Sequence, residues 1–187
     1  MSTLGVETTH SKYQELEKKW AKTRAVGAGE DEVHDAGTLL LPMLEQQALG
    51  GEEGALMYTR YKDRARFLPA FSRTLQGLAG TVTRKDPIFK TEPIEDLVSN
   101  IDGSGTTLKE YSKQVLDEML EIGYCGTLVD HVPVDDTLTV AEAEASNLRP
   151  SFAFYKAENI INWKYDTVNN INVLVMIVLE ETVTKWV

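Results

Sequence analysis

Apolar residues recur at helical spacing through the first half of the chain and crowd into short runs through the second. Residues 1–10 are polar and expected to be mobile. Tyr13, Leu16 and Trp20 fall on one face of a helix predicted over Ser11 to Arg24. The glycine-bearing stretch from Val26 to Asp31 reads as a linker. A second helix is expected from Val33 to Leu49, bent or broken at Pro42 and ended by Gly50-Gly51. The longest pattern runs from Ala55 to Val82, where Leu56, Met57, Tyr61, Ala65, Leu68, Phe71, Leu75, Leu78 and Val82 keep a helical period. Pro69 lies inside it and either kinks the helix or opens a new one. Gly77 and Gly80 each cost ~1 kcal/mol in a helix relative to alanine, which points to close backbone packing around them.

After Arg84-Lys85-Asp86-Pro87 the period changes. A short helix is expected from Pro93 to Ser99, then a tight loop from Asn100 to Gly105. Thr107 with Glu110 is a capping box for a helix carrying Leu108, Tyr111, Val115, Met119 and Ile122 on one face, closed by Gly123. Tyr124 to Val132 is apolar on both faces and predicts a central strand. A turn at Pro133 to Asp136, a capped helix from Thr139 to about Asn147, and a strand from Ser151 to Tyr155 follow. The last segment predicts a hairpin: Ile160 to Tyr165 out, a turn over Asp166 to Asn170, and Ile171 to Thr184 back, with Val173 to Leu179 inside a sheet. The fold class expected is α+β, with a small, mostly antiparallel sheet. The chain stops at Lys185-Trp186-Val187 straight after a strand, so a longer protein is expected, of which this is the amino-terminal part.

Composition changes this picture little. With 42% hydrophobic and 26% charged residues the 187-residue chain can bury a core without staples. Its longest apolar run, Val173 to Leu179, is far below the ~20 residues of a spanning helix, so no membrane partner is expected. Charge matters more. The net charge is -10, but residues 59–90 carry eight basic and two acidic side chains. Arg60, Arg64, Arg66 and Arg73 in that segment read as an ordinary solvated helix face, weighed against a DNA-facing surface. Overall acidity argues against a free-standing nucleic-acid binder.

Chemistry is harder to find. Cys125 is the single cysteine, in a strand-like run that predicts a buried inert thiol. The Asn100 loop places Asp102, Ser104 and Gly105 as an EF-hand loop does, yet its twelfth position is Tyr111 and not a bidentate glutamate. A turn feeding a helix cap is therefore the reading preferred. Asp130, Asp135, Asp136 and Glu142 could hold Mg²⁺ only if the fold gathered them. His10, His34 and His131 lack ligand spacing. No phosphate loop and no nucleophile elbow is present. No cofactor is expected, and the chain is not expected to be an enzyme.

Three stretches, in order, carry a resemblance. They are Tyr61-Lys62-Asp63-Arg64-Ala65 through Thr74-Leu75-Gln76-Gly77-Leu78-Ala79-Gly80 to Arg84-Lys85-Asp86-Pro87; the Asp102-Gly103-x-Gly105 loop leading to Tyr124-Cys125-Gly126-Thr127-Leu128-Val129-Asp130; and Arg149-Pro150-Ser151-Phe152 with Tyr155-Lys156-Ala157-Glu158-Asn159-Ile160-Ile161-Asn162-Trp163. Together they resemble a family of tailed-bacteriophage portal proteins, over most of residues 50–180. The Ala-Glu-Asn-Ile-Ile-Asn-Trp stretch is the most specific part, and residues 1–50 match loosely.

The resemblance implies a structural ring subunit, usually one of twelve, at a capsid vertex of the virion, assembled in the host cytoplasm. Its implied partners are other copies of itself, the major capsid protein, the packaging terminase, a head–tail adaptor, and double-stranded DNA passing without sequence specificity. Residues 1–50 would form an N-terminal helical region and 51–187 an incomplete wing-like α/β domain before stem and clip. Arg60, Arg64, Arg66 and Arg73 become candidates for subunit contacts, weighed against a solvated helix face, and Trp163 a candidate interface anchor, weighed against a place in the hairpin core. The competing readings are a head–tail adaptor or minor capsid interaction protein and, further off, a metal-dependent enzyme fragment.

Overall fold

Helix α1 spans Ser11–Ala28, four residues past its expected end, and buries Tyr13 and Trp20 edge to face with ring centroids 5.6 Å apart. The expected linker is therefore partly helical, and Gly29 (φ 135°) makes the break. The computed structural model describes residues 5–90, 94–131 and 148–182. The turn at 133–136 and the helix at 139–147 lie outside them, as do Asp135, Asp136 and Glu142.

The second expected helix is three pieces: α2 (Glu30–Asp35), a 3-10 turn (Gly37–Leu39) and α3 (Glu45–Leu49). Pro42 cannot donate to a helix interior, and Gly37 takes φ 53°, so the chain turns twice. The long pattern also divides, into α4 (Gly51–Arg64) and α5 (Ala70–Val82). Pro69 opens α5, its carbonyl accepting from Arg73 N–H at 3.2 Å. The freed backbone at the break finds partners on α2. Glu30 accepts from Phe67 N–H at 3.0 Å, and His34 Nε2 lies 2.9 Å from the Ala65 carbonyl. Helix α3 packs on α4, and α1 on α2 and α5. No neighbour lies within 4 Å of a Cβ placed on Gly77 or Gly80, so the close packing expected there is absent. The close approach is at Gly54 instead, where a Cβ would sit 2.3 Å from the Gln47 carbonyl oxygen.

Beyond α5, α6 is only Glu95–Val98, and α7 spans Leu108–Glu121 behind the predicted cap, with Glu110 N–H donating to Thr107 Oγ1 at 3.2 Å. Tyr111 is buried on α7, its ring 5.4 Å from Phe152 and 6.1 Å from Phe154, and its hydroxyl bonds Thr127 at 2.8 Å. Strand β1 (Cys125–Asp130) pairs antiparallel with β2 (Ser151–Lys156), and β3 (Ile160–Val168) with β4 (Ile171–Leu179). The fold is α+β, with two two-stranded antiparallel sheets. The hairpin turn is tighter than expected. Asn169 and Asn170 take φ 51° and 62°, the left-handed pair a two-residue hairpin needs, so β3 continues to Val168.

Two corrections concern the sheets. Tyr124 to Val132 was expected to be central, and Val173 to Leu179 interior. Among the described residues β1 and β4 each have a single strand partner, and both expose apolar side chains. The chain forms two compact units, residues 11–82 and residues 1–10 with 83–187, so a boundary at 50/51 falls inside the first, between α3 and α4. Residues 8–10 are tied down rather than loose: His10 N–H donates to the Ile161 carbonyl at 2.9 Å, and Asn162 Nδ2 to the Thr8 carbonyl at 2.7 Å.

Candidate functional site

Helical spacing puts Arg60 and Arg64 one turn apart on the exposed side of α4. With Leu44, Gln46, Gln47, Met57 and Tyr61 they line an open groove of about 400 Å³ beside α3. Arg64 Nε donates to the Arg60 backbone carbonyl at 3.2 Å, which holds the Arg64 side chain against α4. The other two arginines are placed differently. Arg66 lies in the break after α4 and reaches Glu30 at 3.3 Å, an exposed pair of small energetic weight. The Phe67 backbone N–H, more than Arg66, holds the Glu30 carboxyl below its ordinary range. Arg73 is exposed on α5. The fold thus brings two of the four candidates to one groove. Lys62 and Arg64 also occupy the last turn of α4, where cations oppose the helix dipole.

Trp163 lies half-buried on β3, with the His10 ring stacked on it at 4.2 Å and 11°, and Tyr124 at 6.1 Å. Cys125 is half-buried, and its thiol is pushed up by burial and then by Glu118, so it is a poor nucleophile. In the Asn100 loop, Asp102 turns both carboxylate oxygens inward. It accepts from Ser104 N–H at 2.8 Å, Thr106 N–H at 3.0 Å and the Thr106 hydroxyl at 2.6 Å, and the Thr106 hydroxyl and these amides keep its carboxyl below the usual range. That is loop architecture, and among the described residues no three His, Cys, Asp or Glu side chains gather as a metal site. His34 is likewise structural, facing the Ala65 carbonyl.

The largest feature is one that pattern reading placed in the interior. Along β4, Ile171 is 65% exposed, Val175 50% and Ile177 45%, with Val173, Leu174 and Met176 similarly bare; Tyr165 and Val168 on β3 extend the surface. Successive strand residues point to opposite faces, so β4 presents exposed apolar side chains on both of its faces. The signal was in the sequence: nine residues from Ile171 to Leu179 without a charge. Exposed apolar surfaces of this extent are found at protein–protein or membrane interaction sites and in ligand grooves.

No helix among the described residues is long and apolar enough to cross a membrane. No protein-family model and no curated protein matches the chain. Fold and site define an α+β chain that, among the described residues, carries exposed apolar and basic surfaces.

Proposed function

We propose that this chain is a structural subunit of the phage portal ring, the head–tail connector through which DNA is packaged and ejected, and that it acts without catalysis of its own. The observation that carries the reading is the β3–β4 ribbon. A nine-residue uncharged strand with apolar side chains bare on both faces is costly in water, at ~25 cal/mol per Å² of apolar surface. Such a strand suits a subunit whose working state is an assembly. The three stretches that resemble portal proteins favour the portal among assemblies. The acidic remainder fits a wall past which DNA slides, because phosphate contacts dominate DNA affinity.

In this reading Arg60 and Arg64 meet carboxylates of an adjacent subunit. The test is particle mass by mass photometry, with negative-stain microscopy of the same sample. A ring of about twelve subunits with a central hole is expected. A monomer or dimer at every salt concentration overturns the ring and moves the chain to the head–tail adaptor class.

A further inference from the structure

Among the described residues, each of the two sheets has one edge partly covered within its own unit and one edge without a neighbour. On β2, the Phe152 N–H is taken by the Ile101 carbonyl at 2.9 Å. On β3, residues 8–10 lie along Ile161 and Asn162 and cover the start of that edge with two hydrogen bonds and the His10–Trp163 stack. Among the described residues nothing comparable lies along β1 or β4, which pair only with β2 and β3. Every second residue of an antiparallel strand directs its N–H and C=O away from its partner, so both open edges carry unpaired backbone groups.

Edge strands that stay solvated are blunted by charge, proline or bulges. Neither β1 nor β4 contains proline. β4 has no charge, and β1 carries only Asp130, its last residue. One bulge leaves Val175 unpaired and divides β4, so Ile171 to Leu174 form an uninterrupted stretch beside the Asn169-Asn170 turn. Six β4 side chains between 40% and 65% exposed leave on the order of 500 Å² of apolar surface bare, a large share of the roughly 800 Å² each partner gives a stable interface. Val129 on β1 is 61% exposed and Leu128 40%.

We infer that the occupant is a second copy of this chain: β1 of one copy adds antiparallel to β4 of the next, joining two two-stranded ribbons into a four-stranded sheet. Charge sets the direction. Antiparallel pairing brings Asp130 to the uncharged asparagine turn, whereas parallel pairing would set it toward Glu180 and Glu181, and like charges across a sheet repel. Each copy donates one edge and receives on another. The contact is therefore heterologous, the kind that closes into a ring when the rotation allows. The inference rests on the ring reading and names its contact.

The test mixes two variants of the full chain, both with Cys125→Ser. One carries Val129→Cys, and the other carries Asn172→Cys, Val173→Cys or Leu174→Cys in turn. Oxidation should give a product of twice the chain mass in at least one mixture, and little from either variant alone. Separately, Val173→Lys places its ammonium opposite Asp166, so the hairpin is retained while the open edge is blunted. Rings should fall to smaller species with the circular dichroism unchanged. Rings that survive Val173→Lys without any mixed product overturn this contact and leave the ring reading standing. Strong cross-linking of Val173→Cys alone also overturns it, in favour of β4 pairing with its own copy. A mixed product from chains that never close into rings keeps the contact and overturns the ring reading.

Discussion

Ile160 is 1% exposed, and its Cδ1 lies 3.0 Å from where a Cβ on Gly126 would sit. It starts β3 immediately after the 3-10 turn at Ala157–Asn159, where β2 passes into the second ribbon. Ile160→Ala should cost about 2–5 kcal/mol in urea unfolding, the usual cost of a cavity that surrounding chain cannot fill. Tyr155 gives a pH signature. Its hydroxyl donates to Glu181, and that bond, with burial and the carboxylate's charge, pushes its pKa up to about 12. The neutral phenol is the form the fold holds. Its stabilisation is complete below pH 10, the ordinary tyrosine value, and is lost as pH rises through about 12. Burial also raises Tyr111 and Tyr124, so ultraviolet titration should show several tyrosines ionising late, and Glu181→Gln should bring Tyr155 earlier.

At the scale of elements, glycines separate the helices that touch from those that do not. A Cβ at Gly54 would meet the Gln47 carbonyl at 2.3 Å, a backbone atom that can move only with α3. Gly54→Ala should lose about 1–3 kcal/mol to this overlap despite its better helix propensity. Gly80→Ala meets nothing within 4 Å and should gain about 1 kcal/mol. Thermal melts of the two variants should move in opposite directions. Pattern reading assigned the close contact to Gly77 and Gly80, because a glycine in a helix has the same cost whether or not another chain segment lies against it. The break at Pro69 was readable in one dimension. Its repair by Glu30 and His34, more than thirty residues away, was not.

At the scale of the whole molecule, charge is unevenly distributed. Residues 59–90 are basic within a chain of net charge -10, and Arg60 with Arg64 presents that excess on one groove. In the proposed ring, Arg60→Glu with Arg64→Glu should shift particle mass to smaller species at ~0.1 M salt, where the Debye length of about 10 Å still lets neighbouring charges act. Intact rings by mass photometry would remove these arginines from the interface. The arginines were legible as a basic run. Their sorting into a groove pair, a Glu30 partner and an isolated Arg73 came from the turn after α4, which no local pattern specifies.

The sequence by itself determined the α+β class, the capped start of α7, the two ribbon strands and the absence of charge in β4, because these follow from local propensity and the periods of helix and strand. Only the tertiary structure decided which strands were neighbours. Tyr124 to Val132 and Val173 to Leu179 look interior because apolar residues on both faces record that a strand is covered, without recording by what. Strand pairing is set by contacts between residues distant in the chain. Of those contacts the described residues supply Ile101 to β2 and residues 8–10 to β3, and none along the outer edges of β1 and β4.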